Sequence, residues 1–321
     1  MAIEKLQFEV KPSEDGQRLD QVLALYWSGI SKSKVRKLIV AGAVYLNRKR
    51  IRIASRSLQK GSRIEVFVDY KKLEDEGPSR DRSFTMSAAA ILYEDESLIV
   101  VNKPAGLPTQ PTLDEARDNL YALMKKFLAT RDSRPDAYVG LHHRLDRDTS
   151  GVVLFTKVKE ANAGVSALFS EHQAVKIYQA LVLKPQASNA LLQQGSAEVR
   201  NYLAKKRGAG KRARIEVVHS GGDFAHTRFK VLRVEGRGAL IEAQPLTGRT
   251  HQIRVHLASL GLPILGDVFY GGIGKIGEFQ VPRSMLHAGS LTFVHPLLKK
   301  ELSIAAPLPE DFRPCFDALK R

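Results

Sequence analysis

Apolar residues along this chain recur at two periods, and the period changes from segment to segment. Residues 5–10 alternate weakly and predict a short strand. Leu19, Val22, Leu23 and Tyr26 then follow the helical spacing i, i+3, i+4, i+7. Ser31 is a suitable N-cap for a second helix with Val35, Leu38 and Ile39 on one face and Gly42 as its stop. Short strands are predicted at Val44–Leu46 and Ile64–Val68, with Lys60-Gly61 turning into the second. From Asp69 to Thr85 the apolar pattern gives way to charged and polar residues around Gly77-Pro78-Ser79, the composition of a linker.

Past that break the pattern is dominated by strands. A hairpin is predicted from Ala90–Tyr93 and Leu98–Val101 across Glu94-Asp95-Glu96, and a loop runs from Asn102 through Thr112. Leu120, Leu123, Met124, Phe127 and Leu128 mark an amphipathic helix, and Ala163–Phe169 another. Val175–Leu183, Thr227–Val234, Leu240–Gln244, Leu291–Val294 and Leu302–Ala305 read as strands. Thr250–Leu260 reads as a helix with Ile253 and Leu257 on one face. Strands interleave with few helices, and several connections are too short for helical crossovers. That favours an α+β fold with a mainly antiparallel central sheet, preceded by a small N-terminal α/β domain. The expected division is 1–70 for the N-terminal module, 71–87 for the linker and 88–321 for the main domain.

Composition narrows the function. The chain has 321 residues, 43% of them hydrophobic, enough for a sizeable core. Lys and Arg number 50 against 34 Asp and Glu, a net charge of +16 that favours a polyanionic partner. No run of about 18 apolar residues exists to span a bilayer, and Met1-Ala2-Ile3-Glu4-Lys5 lacks a signal-peptide layout. Cys315 is the single cysteine, which rules out an intrachain disulfide or a multi-cysteine zinc site. A cytoplasmic, nucleic-acid-binding protein is the expectation, with no membrane role and no obligate protein partner inferred.

The candidate chemistry lies in a polar interruption, His142-His143-Arg144-Leu145-Asp146-Arg147-Asp148-Thr149-Ser150-Gly151. It is flanked by Tyr138-Val139-Gly140-Leu141 and Val152-Val153-Leu154-Phe155, both of which read as strand, and loops held by a rigid scaffold are where reactive groups tend to lie. Asp148 through Gly151 read as an Asx-type turn in which Asp148 bonds backbone amides. Asp146 differs, because Leu145 can plug the core and fix the neighbouring carboxylate. Here the sequence resembles a known family. His143-Arg144-Leu145-Asp146-x-x-Thr149-Ser150-Gly151 looks like the signature of the RluA-type RNA pseudouridine synthases. Lys176-Ile177-Tyr178-Gln179-Ala180-Leu181-Val182 and Gly248-Arg249-Thr250-His251-Gln252-Ile253-Arg254-Val255-His256-Leu257 agree with it in order, and the resemblance spans about residues 88 to 307.

The resemblance implies a central sheet with a cleft across it and an aspartate, here Asp146, that isomerises uridine within RNA, without metal or cofactor. It leaves open whether the aspartate attacks the sugar or removes a sugar proton. It places Arg254 against Asp146, and it links Arg144 with base flipping. Tyr178 is the candidate platform for the flipped uracil, its phenol body able to stack while the hydroxyl keeps a polar contact. His143 is expected to order the loop. The N-terminal stretch Arg18-Leu19-Asp20, Ser31-x-Ser33-x-Val35-Arg36 and Gly42-x-Val44 resembles the ribosomal-protein-S-four-type RNA-binding module, with Lys32, Lys34, Arg36 and Lys37 as its basic residues. That module favours ribosomal RNA, of the large subunit, as substrate.

Other patterns carry less. Lys205 to Arg214 holds six basic residues and two glycines but not the Walker spacing, and reads as a mobile loop for phosphate. Gly272-Ile273-Gly274-Lys275-Ile276-Gly277 matches the dinucleotide fingerprint by letters, yet Pro282 stands where a helix is needed. His251 and His256 diverge around a helix and lack a third metal ligand. Two rivals stand beside the isomerase. One is a non-catalytic RNA-binding or ribosome-assembly protein. The other is a hydrolase using Asp146 and Asp148, two carboxylates too close in one turn to flank a scissile bond.

Overall fold

The structure is a computed structural model, described for residues 4–27, 35–36, 38–39, 42–68, 84–111, 118–185, 188–206 and 213–320. The described residues fall into two compact units, one ending at 68 and the other beginning at 84.

In the N-terminal unit a sheet ordered β1-β4-β2-β3 is built from β1 (Glu4–Glu9), β2 (Val44–Leu46), β3 (Lys49–Ile51) and β4 (Arg63–Val68). Helix α1 (Leu19–Tyr26) turns Leu19, Val22 and Leu23 into the core beside Val35, Ile39, Ile64 and Val66, as its spacing requires. The short strand β3 escaped the sequence pattern because Lys49 and Arg50 are exposed on both faces of a tight hairpin.

The second unit is organised on an eleven-stranded sheet. Its strands are β5 (Ile91–Glu94), β6 (Leu98–Lys103), β7 (Gly140–Leu141), β8 (Ser150–Thr156), β9 (Val175–Leu183), β10 (Ser196–Lys206), β11 (Arg214–Val218), β12 (Asp223–Glu235) and β13 (Gly238–Pro245). A separate two-stranded hairpin, β14 (Lys275–Ile276) and β15 (Phe279–Gln280), precedes the last sheet strands, β16 (Leu286–Val294) and β17 (Glu301–Ala305). The order is β11-β10-β12-β13-β9-β16-β8-β6-β5, with β17 on β16 and β7 on β8. Among the described pairings only β16 with β8 is parallel, at His287–Ser150 and Ala288–Gly151. That contact lies where the polar loop rejoins the sheet.

Helices cover both faces. One core packs α2 (Leu120–Arg131) against Ile99, Val101, Val153 and Phe155; another packs α3 (Asn162–Ser170) against Val100, Val152 and Leu154. Strand β8 is therefore buried on both sides, which is why it reads as an unbroken apolar run. After the short α4 (Ala190–Gln194), a third core joins α5 (Gln252–Ser259) and α6 (Phe312–Lys320) to β9 and β13, and Ile253 and Leu257 face it as expected. The flank before the polar loop contributes only Gly140–Leu141 as strand. The basic segment also differs from the loop expected of it. Lys205 and Lys206 end β10 and Arg214 begins β11, because the two strands pair antiparallel as far as Lys206 and Arg214, while 207–212 lie outside the described residues.

Candidate active site

The polar loop is held by its backbone on both sides of Asp146. Thr109 Oγ1 donates to Leu145 O at 2.8 Å and accepts from Leu145 N at 3.1 Å, while Leu145 itself is buried in the α2 core. On the other side Arg147 O accepts from Gly106 N at 2.8 Å and from Lys103 Nζ at 3.0 Å. Lys103 is fully buried, and its ammonium also donates to Pro104 O and Leu107 O. Burial pushes its pKa down to about 7 against the pull of Asp148 and Asp146. Thr149 N closes a turn onto Asp146 O at 3.1 Å.

Gly151 then meets Ala288 so closely that a β-carbon would stand 2.1 Å from the Ala288 oxygen, and its φ of +117° excludes side chains in any case. Only glycine can bring the loop back beside β16. His143 orders the loop as expected: its Nε2 accepts from Leu154 N at 2.9 Å and its ring stacks on Phe169 at 4.3 Å. Burial holds its pKa down at about 3, so it stays neutral. The Asp148 carboxylate takes the forked guanidinium of Arg147 at 2.9 and 3.0 Å. The loop's far end is gripped by Arg283, which donates to Asp148 O and Ser150 Oγ while forking onto Asp311.

Asp146 projects from this frame with 28% of its side chain exposed. Arg254 Nη1 donates to its Oδ2 at 2.9 Å, so the pair expected from the sequence is formed. The same guanidinium forks onto Asp267 at 2.6 and 2.8 Å, and the Asp267 side chain is 2% exposed. Burial works against the charge on Arg254, but bonding to Asp267 and the charges of Asp267 and Asp146 outweigh it and raise its pKa. Helix α5 is aimed by Gln252, whose Oε1 accepts from Thr247 Oγ1 and Arg249 N and whose Nε2 donates to His226 O and Thr227 Oγ1. His251, at the helix entrance, has a left-handed backbone (φ 55°) that a non-glycine residue adopts at a cost of about 1–2 kcal/mol. Its Nε2 lies 3.7 Å from Asp146 Oδ2 and its Nδ1 2.7 Å from the Tyr270 hydroxyl.

Tyr178 sits on β9 between Ala243 and Ala288 of the neighbouring strands, its ring packed where two cores meet. Burial, then the charge of Asp146, raises the pKa of its phenol, so it stays protonated at neutral pH. Arg144 is exposed and reaches Thr250 Oγ1 at 3.3 Å, bridging the loop to the entrance of α5. Thus Asp146 and Arg254 are in direct contact, Tyr178 is close enough to feel the Asp146 charge, and Arg144 lies on the same loop. Lys32, Lys34 and Lys37 lie outside the described residues. Arg36 is described and pairs with Asp20 at 2.6 Å, so it has a structural duty that a solvated basic face does not require. Sequence reasoning passed over Asp267, Tyr270, Lys103 and Thr109. A signal existed for the first two, an acid and an aromatic between the positive-φ turns at Gly266 and Gly271.

A sequence family described as RNA pseudouridylate synthase matches residues 97–259, and one described as S4 domain matches residues 17–64. The ribosomal large subunit pseudouridine synthase C of Vibrio cholerae is 35% identical, over 91% of this chain and 90% of that protein. The ribosomal large subunit pseudouridine synthase D of Haemophilus influenzae is 31% identical, over 98% and 95%. Among solved structures, human RNA pseudouridylate synthase domain containing 4 superposes with a TM-score of 0.59 at 27% identity, covering 72% of this chain and 93% of that one.

Proposed function

Because the chain belongs to the RNA pseudouridylate synthase family, we propose that it isomerises specific uridines of large-subunit ribosomal RNA to pseudouridine, with Asp146 starting the reaction. The observation that carries the site assignment is the Asp146–Arg254 pair. A carboxylate that must remain ionised beside a flipped base needs a cation that cannot give up its charge, and an arginine anchored from behind by Asp267 is one. Asp146 Oδ1 has no hydrogen-bond partner among the described residues, so it can meet the sugar either as nucleophile or as base.

The isomerisation breaks the bond from ribose C1′ to uracil N1 and forms one from C1′ to C5; N1 gains a proton and the C5 hydrogen leaves to solvent. Nothing is oxidised or reduced. Flipping the uridine costs a few kcal/mol. Arg144 is suited to fill the gap with its planar guanidinium, and Tyr178 to stack on the extruded base. The likeness to ribosomal large-subunit enzymes and the S4 match at 17–64 support ribosomal RNA as the partner, and a cytoplasmic setting follows from that substrate. The division into an RNA-binding module over 1–70 and a catalytic domain over 88–321 belongs to this reading.

The test is release of tritium from carbon five of uracil in labelled large-subunit ribosomal RNA, with pseudouridine mapped in the product. Tritium release matched by new pseudouridine at defined positions is expected. Binding without either would support the non-catalytic rival, and free uracil would support a hydrolase.

A further inference from the structure

Two groups face the Oδ2 atom of Asp146: Arg254, bonded at 2.9 Å, and His251, whose Nε2 stands at 3.7 Å. Both are held by one side chain. The guanidinium of Arg254 lies over the ring of Tyr270, 4.9 Å from its centroid, and the Tyr270 hydroxyl is 2.7 Å from His251 Nδ1. We propose that Tyr270 is a positioning residue for the isomerisation, its ring setting Arg254 and its hydroxyl setting the tautomer of His251 against Asp146. The proposal rests on the reading of Asp146 as the group that starts the reaction.

The direction of the hydrogen bonds follows from the donors. Ile215 N lies 3.3 Å from the Tyr270 oxygen, and a backbone amide can only donate. The hydroxyl oxygen accepts that proton, so its own is free to go to His251 Nδ1. An imidazole that accepts at Nδ1 carries its proton on Nε2, the nitrogen that faces Asp146. Burial also lowers the His251 pKa, which favours this neutral form over imidazolium. Asp146 is thereby given a neutral N–H donor beside its fixed cation. At 3.7 Å this donor is too far for a standing hydrogen bond, so it stays free to follow the carboxylate as its bonding changes.

Tyr270 is well braced for the task. It is buried, its amide bonds to Asp267 O at 3.0 Å, and its ring also lies 4.9 Å from the Arg214 guanidinium at the start of β11. The segment 267–270 therefore supplies both the carboxylate behind Arg254 and the ring against it. The Tyr270 hydroxyl meets both the Ile215 amide and His251 Nδ1, and the second of these bonds is what a packing role leaves unexplained.

The experiment uses the full-length protein with Tyr270→Phe, Tyr270→Leu, His251→Asn and the Tyr270→Phe/His251→Asn pair. Asparagine is chosen because it tolerates the left-handed backbone. Tritium release gives kcat and KM, with RNA binding and thermal unfolding measured alongside. Tyr270→Phe should lower kcat about 2- to 10-fold, the worth of one hydrogen bond, with KM and RNA affinity unchanged. Tyr270→Leu should lower kcat further, because the ring against Arg254 is lost as well. In the His251→Asn background Tyr270→Phe should add nothing, since the hydroxyl acts through that imidazole. Wild-type kcat in Tyr270→Phe, or losses that multiply independently in the pair, would overturn the proposal while leaving the isomerase reading intact. A wild-type protein that releases no tritium would overturn both.

Discussion

The chain contains the triplet Arg-Leu-Asp in both units, at 18–20 and at 144–146, and the structure uses the two in opposite ways. In both, the leucine is buried and fixes the backbone beside the acid. At the first, Arg18 folds back onto its own Asp20 at 3.0 and 3.1 Å, and Arg36 adds a third contact at 2.6 Å. Asp20 is 1% exposed, and although burial alone would raise its pKa, the two arginines pull it below the ordinary value of 3.8. At the second, Arg144 turns away to Thr250, and Asp146 shares a single arginine with Asp267. The first acid is saturated with partners and shut from water; the second keeps an open oxygen and an exposed edge. Identical local sequence thus yields an anchor in one unit and the candidate reactive group in the other. What separates them is where the preceding arginine points.

The sharpest way to break this comparison is to neutralise each aspartate in turn. Asp146→Asn should leave the fold intact, because Arg254 keeps its fork on Asp267. RNA affinity should stay near wild type, while tritium release falls at least about 100-fold, since a neutral amide can neither attack nor take a proton. Full turnover by this variant would end the assignment. Asp20→Asn should do the reverse. It removes the buried charge that Arg18 and Arg36 both bond, a loss of about 1.5–3 kcal/mol in the N-terminal unit. Trp27, the single tryptophan, packs in that unit's core, so its fluorescence reports the unfolding directly. An unchanged transition there would show that Asp20 is no anchor.

A smaller, graded effect separates the units by pH. All nine histidines lie beyond residue 141, so the N-terminal unit has none. In the catalytic unit burial lowers His143 to about 3 and His256 and His287 to about 4, from 6.5. The unfolded chain therefore binds protons below pH 6.5 that the folded unit refuses, and stability falls as pH drops from about 6.5 towards 4. Asp20 acts in the other window. Its folded pKa is depressed, so its contribution is complete above about 4 and is lost only as pH falls further. Between pH 6.5 and 4.5, near-ultraviolet circular dichroism of the tyrosines should show the catalytic unit weakening towards denaturant before Trp27 reports any change. The opposite order would contradict the assignment of these histidines as neutral buried groups.

The elements that were legible were those whose burial has a period. Val175–Leu183 and Val44–Leu46 appear with the bounds expected, and α1 and α5 bury Leu19, Val22, Leu23, Ile253 and Leu257 as predicted, while Tyr26, expected on the same face, is exposed. Strand β10 and helix α6 were not. The first alternates only between exposed and half-buried positions over most of its length, so its apolar signal is weak. The second buries just Phe312, Cys315 and Leu319, on one narrow stripe. Within the site, Asp146, Arg254 and Tyr178 were named because their surrounding motifs are contiguous in sequence. Their supports were not, because those are contacts made by single residues far along the chain.

That difference has one physical source. Side-chain periodicity and turn chemistry are local, and they were enough to determine most of the strands and helices, the basic character of the chain and the loop that carries Asp146. Hydrogen bonds and close ion pairs need partners within a few ångströms, so they were decided only when the fold brought distant residues together. Lys103 meets Arg147 across 44 positions, Arg254 meets Asp146 across 108, and Arg283 meets Asp148 across 135. The same separation explains the two triplets. Their sequence prescribes a buried leucine beside an acid, and only the tertiary neighbours, Arg36 for one and Arg254, Asp267 and Tyr270 for the other, make the first a lock and leave the second open.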